Sequence, residues 1–124
     1  MQSPSVVIAQ NDPRLATELA RQLQIHFRDV RVIASLPLLR EEPNRPAPIA
    51  VVVDLEWIGL TELRNLCSRW PESVVVCTHR LPDDEMWIAS LGAGATDCCH
   101  VSDMTSILRA ISSAGSPKRR RAAA

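Results

Sequence analysis

Residues 49–54 read IAVVVD and residues 73–78 read SVVVCT. Both runs are apolar, and rich in β-branched side chains, at nearly every interior position. A strand with one wet face alternates apolar and polar residues, whereas a strand apolar on both faces is covered on both, as in a parallel sheet between helices. Residues 5–10 (SVVIAQ) share that character, and 30–35 (VRVIAS) and 97–101 (DCCHV) complete a predicted set of five strands. An open antiparallel sheet is excluded.

The intervening segments carry helical periodicity. Residues 13–27 place Leu15, Leu19, Leu23 and Phe27 at i+4 spacing, with Asp12 as N-cap and Pro13 at the first helical position. Residues 60–70 put Leu60, Leu63, Leu66, Cys67 and Trp70 on one stripe. A further helix over 82–91, ending at Gly92, has Asp83, Asp84 and Glu85 in its first turn, where carboxylates meet the positive end of the dipole. Met104, Ile107, Leu108 and Ile111 form the last helix, started by Ser102 or Asp103. The second crossover contains Pro37, Pro43, Pro46 and Pro48, which leaves room for one short helical turn and a stiff loop.

Five βα units with right-handed crossovers specify a doubly wound α/β sheet of strand order 2-1-3-4-5, a three-layer sandwich over residues 1–114 with a basic tail at 115–124. Sites in such sheets form beyond the carboxyl ends of the strands, beside the switch in winding. That rule gathers Gln10, Asn11, Asp54 and Thr78.

Composition narrows the function. The chain has 124 residues, 46% of them hydrophobic and 23% charged, enough for one domain with a buried core. Aromatic residues make up 3%, which removes the stacking platforms that base- or sugar-binding surfaces use. Formal charge is zero, but Lys118, Arg119, Arg120 and Arg121 supply four of the 14 basic residues, so the remaining 10 face 14 acidic ones. An acidic body does not lie along a phosphate backbone, and the tail alone gives weak, salt-sensitive contact with nucleic acid or an acidic partner. No apolar run approaches the roughly 18 residues of a membrane span and no leader is evident, so a cytoplasmic location is expected. Cys67, Cys77, Cys98 and Cys99 lie in apolar runs and read as small buried hydrophobes. Adjacent strand residues point to opposite faces, so Cys98 and Cys99 cannot share a metal.

These strand ends resemble the receiver domain of bacterial two-component response regulators, over nearly the whole span 6–111, and the resemblance implies a flavodoxin-like (βα)5 fold. AVVVD matches the strand ending in the phosphoacceptor, which makes Asp54 the acceptor position. VVVCT matches the strand ending in a phosphate-contacting Thr or Ser, here Thr78, and GAGATD is similar to the family's GADD segment. The departures are as informative. Gln10 and Asn11 stand where the family has two Mg²⁺-holding acids, Val101 where it has a lysine, and Cys98 where it has a switching aromatic. Lys118 is the chain's only lysine, so no other lysine substitutes within the fold.

Charge arithmetic gives that loss a size. A unit-charge contact at about 4 Å is of order 4 kcal/mol at an effective dielectric near 20, before desolvation. Two amides in place of two carboxylates forfeit two such attractions for a hard cation, and the absent ammonium forfeits another for the anion. Mg²⁺-dependent phosphorylation is therefore expected to be weak or absent, with Asp12, Asp54 and Glu56 the only weak metal candidates. Asp12 reads first as a helix cap, Glu56 as a solvated loop carboxylate, and Trp57 and Ile58 as apolar bulk over the old phosphate pocket unless they fold onto the following helix.

The expectation is a non-enzymatic receiver-like module that acts by protein contact, as a homodimer or with a partner such as a sensor kinase. The resemblance places that contact on the fourth helix, fifth strand and fifth helix, where Met86 and Trp87 are the candidate anchors. The alternatives are a working phosphoacceptor at Asp54 and a nucleic-acid adaptor acting through the tail.

Overall fold

The computed structural model describes residues 5–41 and 46–113. Five parallel strands form one sheet in the order β2-β1-β3-β4-β5: β1 (Ser5–Ala9), β2 (Asp29–Ile33), β3 (Ala50–Asp54), β4 (Val74–His79) and β5 (Asp97–His100). The doubly wound architecture expected from the two-sided apolar strands is the one observed. Alternation along each strand divides the core. Val7, Val51, Val53, Val75 and Cys77 face one helical layer, and Val6, Ile8, Val52, Val74 and Val76 face the other.

The first layer is α2 (Leu36–Glu41), α3 (Leu55–Arg69) and α4 (Asp84–Gly92), seated through Leu39, Leu63, Leu66 and, at the C-cap of α4, Ala93. The second is α1 (Pro13–Leu23) and α5 (Met104–Ser113), seated through Leu19, Leu23, Ile107 and Ile111. Burying one such aliphatic side chain is worth roughly 1.5–3 kcal/mol, so these two seams hold the sandwich closed. Cys98 and Cys99 fall in opposite layers, both buried, as strand geometry requires.

Several boundaries differ from the sequence expectation. α1 stops at Leu23 rather than Phe27, because the next N–H groups tighten onto carbonyls three residues back: Ile25 bonds Gln22 and His26 bonds Leu23. α4 begins after Asp83, whose carboxylate accepts the Met86 N–H at 2.8 Å, rather than at Pro82. Its left-handed terminator is Gly94 (φ 113°), not Gly92, which is the last helical residue. Of the two candidates for starting α5, Asp103 is the cap: it accepts the Ser106 N–H at 3.1 Å. Leu60, placed on the buried stripe by periodicity, is 38% exposed.

The largest difference lies directly after Asp54. LEWI is not an open loop but a helical turn that continues into α3 across a kink at Gly59 (φ 80°). Asp54 is its N-cap, with Oδ1 accepting the Glu56 N–H at 3.1 Å. The basic tail, including Lys118 and Arg119 to Arg121, lies outside the described residues.

Candidate functional site

The register of the sheet brings the strand ends together. Ala9 pairs with Val53 and Asp54 with Thr78, so the residues that follow β1, β3 and β4 converge on one edge. They enclose a cleft of about 160 Å³ lined by Gln10, Asn11, Asp12, Leu15, Asp54, Glu56, Arg80 and Val101. All the predicted positions on the first, third and fifth strand ends except Cys98 are therefore brought together, and Arg80 joins them.

Gln10 is 1% exposed, and its amide is oriented by what it must satisfy. Oε1 accepts the Asp12 N–H at 3.0 Å, which leaves Nε2 turned the other way. That nitrogen helps hold the Asp54 carboxyl down, yet it lies beyond hydrogen-bond geometry and is buried without a partner. Asp12 spends its carboxylate on its own helix, with Oδ1 accepting from Arg14 at 2.9 Å and Leu15 at 3.4 Å.

Asp54 is half-buried, and burial pushes its carboxyl above the usual carboxylate range, against the Glu56 N–H that pulls it down; the nearby Glu56 charge pushes it further up. Loss of water is the dominant cause. Thr78 is fully buried, and its hydroxyl donates to the Val53 carbonyl at 3.5 Å, so it does not line the cleft. Val101 covers the corner with an apolar side chain, its N–H bonded to the His79 carbonyl at 3.1 Å. Cys98 packs in the core on the α4 side, its thiol pushed up by burial. Trp57 and Ile58 also pack on that core and do not roof the cleft, because the helical turn after Asp54 rotates them inward.

One pairing was not anticipated. Glu56 accepts four contacts from Arg80: the backbone N–H at 2.9 Å, Nε at 3.1 and 3.2 Å, and Nη2 at 3.0 Å. The Arg80 guanidinium and N–H hold the Glu56 carboxyl down at about 2. The signal was available: Glu56 and Arg80 stand two residues beyond a registered pair, Asp54 and Thr78, with opposite charges.

A divalent cation, which this site architecture implies, meets a poor donor set here. Asp12 and Asp54 each have one oxygen committed to a backbone N–H, which leaves one apiece, and both Glu56 oxygens are held by Arg80. The free buried atom, Gln10 Nε2, is a donor and repels a metal. Among the described residues no group of three His, Cys, Asp or Glu side chains is placed to hold one.

No family model and no curated protein matches the sequence. Solved structures do. A response regulator of Burkholderia pseudomallei, with a phosphorylated aspartic acid, calcium ion and citrate, is similar over 87% of this chain and 66% of its own at a TM-score of 0.77 and 18% identity. The chain has the response regulator receiver fold. An orphan response regulator of H. pylori is similar over 88% of this chain and 96% of its own (TM-score 0.75, 17% identity). The response regulator DrrB of Thermotoga maritima is similar over 86% of this chain but 49% of its own (TM-score 0.73, 21% identity). The chain thus spans about two thirds of the Burkholderia protein and half of the Thermotoga one.

Proposed function

We propose that this receiver domain is a degenerate signalling module, in a two-component context, that acts by protein contact rather than by Mg²⁺-dependent aspartyl phosphorylation. The observation that carries the reading is the donor set of the cleft. A phosphoacceptor site must gather positive charge around an incoming anion. Here the amides of Gln10 and Asn11 replace two anions that would hold the metal, Val101 offers nothing, and Arg80, the one guanidinium that lines the cleft among the described residues, is engaged by Glu56.

Three features support protein contact as its output. Trp87 is 45% and Ile88 63% exposed on α4, with Leu81 79% exposed at the approach to it. Trp87 Nε1 donates to Asp97 Oδ1 at 3.1 Å, which fixes the indole against the start of β5. Met86 turns inward onto the core, so the outward anchors of this face are Trp87 and Ile88. No catalytic constellation is invoked, and the cytoplasm is the expected location. Among the described residues no helix is long and apolar enough to cross a membrane.

Incubation with acetyl phosphate and Mg²⁺ followed by intact mass tests the reading. The expected spectrum is unmodified protein. An adduct of about 80 Da that disappears in Asp54→Ala would instead establish Asp54 as a working acceptor.

A further inference from the structure

The exposed apolar surface of α4 is set in unrelieved negative charge. Residues 81–99 contain four carboxylates, Asp83, Asp84, Glu85 and Asp97, and no Lys, Arg or His. Asp84 and Glu85 are exposed, and among the described residues neither has an ion-pair partner. Asp84 stands three and four residues ahead of Trp87 and Ile88, and Glu85 three ahead of Ile88, so helical spacing puts these acids beside the apolar anchors. We infer that this face docks the basic segment 118–121 of a second copy of the chain, in an exchange that each copy reciprocates. This names the partner for the protein contact proposed above and rests on that reading.

Charge selects the occupant. An apolar patch ringed by carboxylates rejects anionic partners and favours cationic ones. Lys118, Arg119, Arg120 and Arg121 are the only consecutive Lys or Arg residues in the sequence, and they leave a net charge of −4 on the remainder. A symmetric contact of α4 on α4 would set Asp84 and Glu85 of one copy against the same acids of the other, like charges in one desolvated patch. The basic segment meets those acids with the opposite sign. Trp87 adds a second attraction. Its Nε1 donates to Asp97 Oδ1 at 3.1 Å while the residue stays 45% exposed, so the indole is held in place as a platform on which a guanidinium stacks.

Topology makes the donor a second copy. The strands are all parallel and each helix returns against them, so α5 ends at the end of the sandwich opposite to the one where α4 begins, and in the other layer. The 10 residues of α5 run about 15 Å, and two helices with the sheet between them set the axes of α4 and α5 about 20 Å apart. Five residues from Ser113 to Lys118 reach at most about 18 Å, too short for a path around the β5 edge. A pair of copies that exchange segments closes on itself with two-fold symmetry.

Sedimentation velocity of the full chain over a concentration series tests the exchange. The expected species is a dimer that dissociates at least about tenfold more readily at about 1 M salt than at about 0.1 M, as the Debye length falls from about 10 to about 3 Å. Two sets of substitutions separate the surfaces: Asp84→Asn with Glu85→Gln, and Lys118→Ser with Arg119→Ser, Arg120→Ser and Arg121→Ser. Each set alone should weaken the dimer at least about tenfold. Mixed one to one, the two variants should pair again, since one retains the basic segment and the other the acids; a variant that had lost its fold could not do so. That complex holds one contact of the two and should be weaker than the unmodified dimer. An unmodified chain that stays monomeric, a dimer indifferent to either set, or a mixture that does not pair would each overturn the proposal. Changes in α4 amide shifts that follow the segment 118–121 in dilute monomer would assign the segment to its own molecule and overturn it too. A dimer lost in Trp87→Ala but unmoved by both charge sets would leave α4 as the contact face and overturn this partner alone. An Asp54 adduct formed with acetyl phosphate and Mg²⁺ would overturn the functional reading instead, and leaves the outcome of the mixing experiment to stand by itself.

Discussion

At the scale of single residues, Asp54 was legible because a strand apolar on both faces has to end somewhere, and IAVVVD ends at a carboxylate. What the sequence left hidden was the company it keeps. The pairing of Glu56 with Arg80 depends on a helical turn after Asp54, and the inward hydroxyl of Thr78 depends on a side-chain rotation that residue identity does not carry. The raised carboxyl of Asp54 has a consequence for stability. A folded-state pKa above the unfolded one means that the folded protein holds its proton longer, so stability falls as pH rises through that interval, which opens near the ordinary aspartate value of 3.8. Asp54→Asn keeps an acceptor for the Glu56 N–H and removes the cost of ionising a half-buried group. It should raise Tm at neutral pH by an amount worth less than about 1 kcal/mol after solvent screening, with the gain fading by about pH 4. Thermal melts of the two proteins across that range provide the check, and a lower Tm for Asp54→Asn at neutral pH would show that the charged carboxylate is favoured in the fold.

At the scale of elements, periodicity located the five strands and α1, α3, α4 and α5, but it did not show the helical turn after Asp54 and misplaced several ends, since caps and positive-φ residues, rather than apolar spacing, set the boundaries. Two glycines make the point. Gly59 kinks α3 at φ 80°, where a Cβ would meet nothing within 4 Å. Gly94 closes α4 at φ 113°, where a Cβ would lie 2.8 Å from Cys67 Cβ on α3. The first demands conformational freedom alone, and the second also demands an absent side chain. Gly59→Ala should cost roughly 1–3 kcal/mol, the strain of an L residue at φ 80°, ψ 169°. Gly94→Ala adds a steric term and should cost roughly 2–4 kcal/mol. Cys67→Ala should relieve little of that, because the nearer contact is with the Cβ that alanine retains. Urea unfolding of the three single variants and of the Cys67/Gly94 pair measures the difference, and equal losses at the two glycines would contradict it.

At the scale of the whole molecule, the two helical layers are not equally finished. α1 and α5 bury well-defined apolar stripes against the sheet, whereas the only α4 residue fully out of solvent is Ser90, and α4 carries apolar side chains around much of its circumference. A surface helix on a monomer ordinarily segregates polar from apolar residues, and one that does not is poorly suited to standing in water unaccompanied. The sequence showed the apolar content of 82–91 but not its direction, since Met86 is claimed by the core and Ile88, two residues on, is not. An aromatic anchor beside an exposed branched aliphatic, with the indole nitrogen already paired to Asp97, is what the centre of a contact patch requires. If this face carries the output of the domain, Trp87→Ala and Ile88→Glu should each weaken self-association or partner capture by at least about tenfold, the cost of about 1.4 kcal/mol that truncating a central anchor exceeds. Neither should unfold the protein, because Ile88 is largely exposed and Trp87, 45% exposed, is absent from both core clusters. Sedimentation velocity across a concentration series reads the homotypic case directly. Identical sedimentation and identical partner recovery for both variants would remove α4 from the interface and leave its uncovered apolar surface to another explanation.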